Sequence, residues 1–179
     1  MDQGTAIHRL NQLDLQGRYV FSHRDLEKIF PEDQPKAFHA GLNRLVRQNI
    51  LERVARGVYL NKLSHRRQGP QTLELIARTL RRGHYNYVSL ESALSEYGAI
   101  SQIPMDRMTV MSTGRKGEYK TPYGTIEFTH TQRAVADILQ NTRDLDRPLR
   151  MATKQAAYRD LRRVGRNTHL VETELLHED

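Results

Sequence analysis

The sequence predicts an α+β protein in two parts, and three observations carry that expectation. The front of the chain alternates amphipathic helix patterns with short β-rich runs and ends in "RVARGVYLN", Arg53 to Asn61. A polar stretch, "NKLSHRRQGPQ", Asn61 to Gln71, follows it and reads as a linker. Beyond the linker, helix patterns are mixed with a strand and with the hairpin pattern "EYKTPYGTIEF".

The first helix is expected over Thr5 to Leu15, with Ile7, Leu10 and Leu13 inward and Gly17 ending it. Tyr19-Val20-Phe21 is short and β-rich, a small strand. Ser22 reads as an N-cap, with Asp25 three residues on as a shortened capping box, and Pro31 stops the helix whose buried face is Leu26, Ile29 and Phe30. The next helix starts near Asp33 to Pro35 and runs to about Gln48, with Phe38, Leu42, Leu45 and Val46 in one apolar stripe. Asn49 closes it. Arg53-Val54-Ala55 and Val58-Tyr59-Leu60 then flank Arg56-Gly57, where Gly57 supplies the positive φ of a tight hairpin.

Helix, short strand, helix, helix, two-stranded hairpin is the element order of a winged helix-turn-helix. In such a module the third helix enters the major groove of double-stranded DNA, and wing and flanks touch the backbone. Opposite the apolar stripe lie Lys36, His39, Asn43 and Arg47, at spacings of three or four. Asn reads adenine through two hydrogen bonds, and Lys reaches guanine or phosphate. Arg53 and Arg56 would add contacts from the wing. The same four helix residues also fit an ordinary solvated face, and modules of this kind also bind proteins.

The expected organisation is therefore a winged helix over residues 1–63, a linker over 64–71 and a small mixed α/β domain over 72–179. In the last part, Thr72 to Arg82 is helical, Ser89 caps a helix ending at Gly98, Met108 to Met111 is a strand and Gln132 to Leu139 is a helix. Thr153 caps a helix ending at Gly165, with Ala157, Leu161 and Val164 inward. Its outside carries Lys154, Arg159, Arg162, Arg163 and Arg166, opposed only by Asp160. The tail from Asn167 holds Glu172, Glu174, Glu178 and Asp179 and no Lys or Arg. This split in charge suits a binding surface, and a solvated helix face explains it equally.

The formal charge of +7 favours an anionic partner, nucleic acid being the commonest. The chain has no cysteine, which excludes disulfides, thiolate catalysis and the usual structural zinc sites. No run approaches a membrane span and the N-terminus lacks a signal-peptide core, so a soluble, cytoplasmic protein is expected. The eight histidines form no HxxxH or HExxH pair, so neither a metal nor a cofactor is expected. One enzymatic pattern needs weighing: Pro104-Met105-Asp106, a strand, then Glu118-Tyr119-Lys120. Two carboxylates and a lysine on neighbouring strands can hold Mg²⁺ and activate water, as in restriction-type nucleases. Against this, Glu118 and Lys120 sit in a polar hairpin arm and the spacing is loose.

"YNYVSLESALSEYGAISQIP" followed by "MTVMSTGRKGEYKTPYGTIEFTH" resembles the AbiEi-type antitoxins of type IV toxin-antitoxin (abortive infection) systems. The front half, "FSHRDL" through "LERVARGVYL", is similar to their N-terminal winged helix. The resemblance implies a non-enzymatic DNA-binding autorepressor that recognises inverted repeats in the promoter of its own operon. It also implies that the C-terminal domain counteracts a toxin resembling a nucleotidyltransferase. On this sequence, DNA contact would fall on Lys36, His39, Asn43, Arg47, Arg53 and Arg56. Antitoxin activity would fall from about Pro70 onward, with the helix from Lys154 to Arg166 as its charged surface. The alternatives are a plain winged-helix regulator whose second domain serves dimerisation or another partner, and the Mg²⁺-dependent nuclease.

Overall fold

In the N-terminal part, the first two helices start where a polar side chain takes up free backbone N–H groups. In the computed structural model, which describes residues 1–101 and 106–177, helix α1 spans Gln3–Leu15, and the Asp2 carboxylate accepts from the Thr5 N–H at 3.0 Å. Strand β1, Val20–Ser22, leads without a break into α2, His23–Ile29. Ser22 is the hinge: its Oγ accepts from the Asp25 N–H at 3.1 Å, and the Asp25 carboxylate accepts from the Ser22 N–H at 2.8 Å. The capping box expected from the sequence is present.

Helix α3, Pro35–Arg47, has proline in its first turn, where the missing N–H costs nothing. It buries Phe38, Gly41, Leu42 and Leu45. Asn49, in the left-handed region at φ 57, turns the chain into β2, Leu51–Ala55, and the hairpin returns as β3, Val58–Asn61. The three strands form an antiparallel sheet in the order β1-β3-β2, with a β-bulge between Arg53 and Ala55. The core joins Ala6 and Leu10 of α1, Leu26 of α2, the inner face of α3, and Phe21, Leu51 and Tyr59 of the sheet. Each large side chain buried there contributes about 1.5–3 kcal/mol.

The chain divides into two compact units, Met1–Leu80 and Arg81–Asp179, so the second unit does not start at Thr72 as expected. Helix α4, Thr72–Leu80, packs against β1 and β3. The stretch read as a linker is packed too: Asn61 is fully buried, and the Ser64 hydroxyl donates to the Asp14 carboxylate at 2.5 Å. Thr72 Oγ1 lies 2.9 Å from the Tyr19 hydroxyl, which fixes the start of α4 to the first unit. Polarity suggested a free linker, but Ser64 and the adjoining Thr72 bond inward.

The second unit consists of β4 (Asn86–Val88), α5 (Leu90–Glu96), β5 (Arg107–Ser112), β6 (Gly117–Thr121), β7 (Gly124–His130), α6 (Val135–Gln140), β8 (Thr142–Arg143), β9 (Arg150–Ala152) and α7 (Lys154–Val164). Its six-stranded sheet has the order β6-β7-β5-β4-β9-β8. The pairs β5·β7 and β4·β9 are parallel and the others antiparallel. Strand β5 is buried almost throughout, its polar Thr109 and Ser112 included, as suits a strand inside the sheet, whereas the edge strand β6 has no buried residue. Among the described residues no helix is long and apolar enough to cross a membrane. Residues Pro104, Met105, Glu178 and Asp179 of the sequence analysis lie outside the described residues.

Helix α7 is capped by Thr153 and ends at Gly165, φ +77. One expectation about it is overturned. Asp160 does not oppose the arginines of the outer face but lies on the inner one, 1% exposed, beside Ala156, Ala157 and Leu161. Its carboxylate accepts from Ser89 Oγ at 2.9 Å, the Tyr87 hydroxyl at 3.2 Å and the Arg133 guanidinium at 3.0 Å. Burial, and the carboxylate beside it, push the Tyr87 hydroxyl pKa well above its ordinary value. Asp160→Ala is expected to destabilise the protein by about 1–3 kcal/mol, because it leaves the buried Ser89 and Tyr87 hydroxyls without this acceptor and the half-buried Arg133 with Asp137 alone. Urea unfolding of the two proteins measures this, and a change below about 1 kcal/mol would mean the network is dispensable.

Candidate nucleic-acid interface

Lys36, His39, Asn43 and Arg47 are all exposed, on the face of α3 opposite its buried residues. The side chains of Lys36, Asn43, Arg47, Arg53 and Arg56 make no hydrogen bond or ion pair among the described residues, so their polar groups are open to a ligand. The neighbouring Arg44 is committed elsewhere, donating to the Met1 carbonyl. His39 differs from the others. Its Nδ1 lies 2.9 Å from the Pro35 carbonyl, which can only accept, so Nδ1 carries the proton. Nε2 is left to accept when the ring is neutral and to donate when it is charged.

The hairpin is tied to this face through α2. The Gly57 carbonyl accepts from the His23 N–H at 2.9 Å, so the turn carrying Arg56 is bonded to the first residue of α2. The His23 ring in turn lies 5.0 Å from the His39 ring and 5.2 Å from the Phe38 ring. Lys36 and His39 therefore share one end of the surface with Arg56. Asn43 follows along α3, and Arg47 lies about 16 Å from Lys36 along the helix axis. Arg53 is on β2, an edge strand of the sheet. His23, with Glu27 3.5 Å from its Nδ1, was not singled out from the sequence. Its place immediately after the Ser22 cap was the available signal.

The second unit divides the five cations of the expected charged surface. Arg166 bonds Glu91 at 2.8 Å and Glu127 at 2.6 Å, and does not join an outer face. Lys154 donates to the Leu175 carbonyl at 3.2 Å. Arg159, Arg162 and Arg163 are exposed and line a groove of about 530 Å³ together with Gln155, Tyr158 and a 3-10 turn at Thr173–His177. Burial alone would raise the Glu91 carboxyl pKa, but hydrogen bonds, that from Arg166 foremost, hold it below the usual carboxylate range.

The nuclease pattern is not assembled. Strand β7 lies between β5 and β6, so Asp106 and Glu118 are not on neighbouring strands, contrary to that reading. The strands carrying them are about 10 Å apart across the sheet. The Thr125 N–H donates to the Asp106 carbonyl, whereas Glu118 pairs with Glu127, further along β7. Glu118 is also bound by Arg107 at 2.8 Å, which lowers its pKa. Among the described residues no group of three His, Cys, Asp or Glu side chains is placed to hold a metal ion.

A basic helix face with a hairpin bonded beside it is among the features by which nucleic-acid-binding modules are recognised. Residues 8–62, from α1 through β3, match the family model described as transcriptional regulator, AbiEi antitoxin. The match bears out the resemblance to AbiEi-type antitoxins over residues 8–62, and leaves α4 and the second unit outside it. No curated protein matches the chain.

Two predictions follow from this geometry. Gly57 has φ +74 with open space around it, so Gly57→Ala meets backbone strain and no clash. It is expected to cost about 1–2 kcal/mol, and Gly57→Asn clearly less, in urea unfolding. Equal costs would show that the left-handed turn is not what the position requires. Glu91, whose folded pKa is depressed, contributes stability above its unfolded pKa of about 4.3, lost as pH falls through the lower folded value. Glu91→Gln is expected to narrow the difference in melting temperature between pH 7 and pH 3, and an unchanged difference would count against the Arg166 contact.

Proposed function

We propose that the protein is a DNA-binding autorepressor and antitoxin whose N-terminal unit is a winged helix-turn-helix. Helix α3 is the recognition helix, the β2–β3 hairpin is the wing, and the operator is double-stranded DNA with inverted repeats. The observation that carries this reading is the set of unpartnered exposed side chains on α3 and the hairpin, Lys36, Asn43, Arg47, Arg53 and Arg56, within the segment matched to an antitoxin-type regulator. Asn43, midway along α3, is suited to base reading, and Arg56 at the hairpin turn to phosphate. The second unit counteracts a nucleotidyltransferase-like toxin in a type IV, phage-defence setting. It does so without enzymatic activity of its own. This part rests on the resemblance in "VSLESALSEYG" and "YGTIEFTH".

The test is a gel-shift titration against the DNA upstream of the protein's own gene and a scrambled control, at two salt concentrations. Preferential, salt-sensitive binding to the upstream fragment is expected. Arg56→Ala should weaken binding to all sequences and lower the salt slope by about one, whereas Asn43→Ala should cost about 1–3 kcal/mol and relax preference at one base position. Equal binding to both fragments would remove the autorepressor. Unchanged binding by both variants would remove this docking face.

A further inference from the structure

The groove beside α7 has a chemistry that DNA binding by α3 leaves unused. Its volume of about 530 Å³ is in the range of small-ligand pockets. One wall is α7, with Tyr158, Arg159, Arg162 and Arg163; the other is the Thr173–His177 turn, with Leu176 and His177. The turn is held in place by hydrogen bonds to its backbone. Gln155 Nε2 donates to the Leu176 carbonyl at 2.8 Å, and Lys154 to that of Leu175. Leu176, 4% exposed, gives the groove an apolar base.

The arginines are available to an anion. Arg162 has no carboxylate partner among the described residues, and its guanidinium carbon lies 5.9 Å from the centroid of the Tyr158 ring. Arg163 donates to a neutral group, the His130 carbonyl, at 3.0 Å. Arg159 is 3.7 Å from Asp137, too far for a tight pair. No acidic side chain lines the groove among the described residues.

Guanidinium groups fork onto phosphate oxygens and stack on planar rings, and an aromatic ring accepts a nucleobase. Both walls are helical, so an extended peptide would find no strand edge to pair with. A ligand with several phosphates and one planar base fits this combination better than an acidic peptide does. We propose that the groove binds a nucleotide, its phosphates on Arg159, Arg162 and Arg163 and its base against Tyr158. The nucleotide is either a free nucleoside triphosphate or one unit of a single-stranded RNA.

The experiment titrates the full ¹⁵N-labelled chain with ATP, with pyrophosphate and with single-stranded hexa-adenylate RNA, to roughly 5 mM, and reads amide chemical shifts. Saturable shifts centred on Tyr158–Arg163 and on Leu176 and His177 are expected with ATP or with the RNA. The source is the one that saturates at lower concentration. Arg162→Ala should raise the Kd about tenfold. Tyr158→Ala should weaken ATP and RNA but leave pyrophosphate unchanged. Shifts confined to α3 and the hairpin, no saturable shift, or a Kd indifferent to Arg162→Ala would overturn the proposal. Pyrophosphate matching ATP, with no response to Tyr158→Ala, would also overturn it, in favour of a plain anion site.

Discussion

The N-terminal unit depends on two adjacent residues, Ser22 and His23, whose backbone groups serve three elements at once. Ser22 ends β1 opposite Val58 of β3, and its hydroxyl caps α2. The next N–H, that of His23, is taken by the hairpin turn at Gly57. Strand, helix and hairpin are thereby fixed to one point of the backbone, with no flexible segment between them. The ring of His23 then meets His39, so the surface of α3 is referred to the same point. A protein that reads a groove with a helix while touching phosphates with a hairpin needs the two held at a constant separation, because recognition tolerates little misplacement.

A buried carboxylate has the corresponding place in the second unit. Asp160 draws together α7, the end of β4 at Tyr87 and Ser89, and Arg133 ahead of α6. Isolated in an apolar interior, such a charge would be costly. Here a guanidinium and two hydroxyls replace the lost water. The outcome is directional. With Asp160 inward, Arg159, Arg162 and Arg163 are turned outward, and the basic groove is the reverse side of the buried network.

How far the sequence was legible follows the range of the interactions. The apolar stripe of α3, the Ser22–Asp25 capping box and the Arg56–Gly57 turn are local patterns, and each formed where it was expected. Strands β4 and β9 are three residues each and are paired in parallel with each other, which leaves no periodic trace to read. Asp160 was assigned to the outer face because a charge is ordinarily solvated, and only its partners, 27 to 73 residues distant along the chain, reverse that. Lys154 and Arg166 are similar cases: basic residues in a basic run, each committed to an acceptor that sequence spacing does not reveal. The attachment of α4 to the first unit includes the bond between Tyr19 and Thr72, a contact between residues that look unremarkable in isolation.

The topology of the second sheet also orders events in time. In the N-terminal unit, the hairpin closes locally, and Tyr19 and Thr72 are 53 residues apart. In the second unit, β4 lies inside the sheet, yet its neighbour β9 is made well after it, and the Asp160 that bonds Tyr87 arrives 73 residues after that tyrosine. Long-range closure is slow and has to wait for the chain. On the ribosome, the first unit can therefore complete its packing while the middle of the second sheet still lacks its partners. The two halves of this protein mature in sequence, the basic α3 face first.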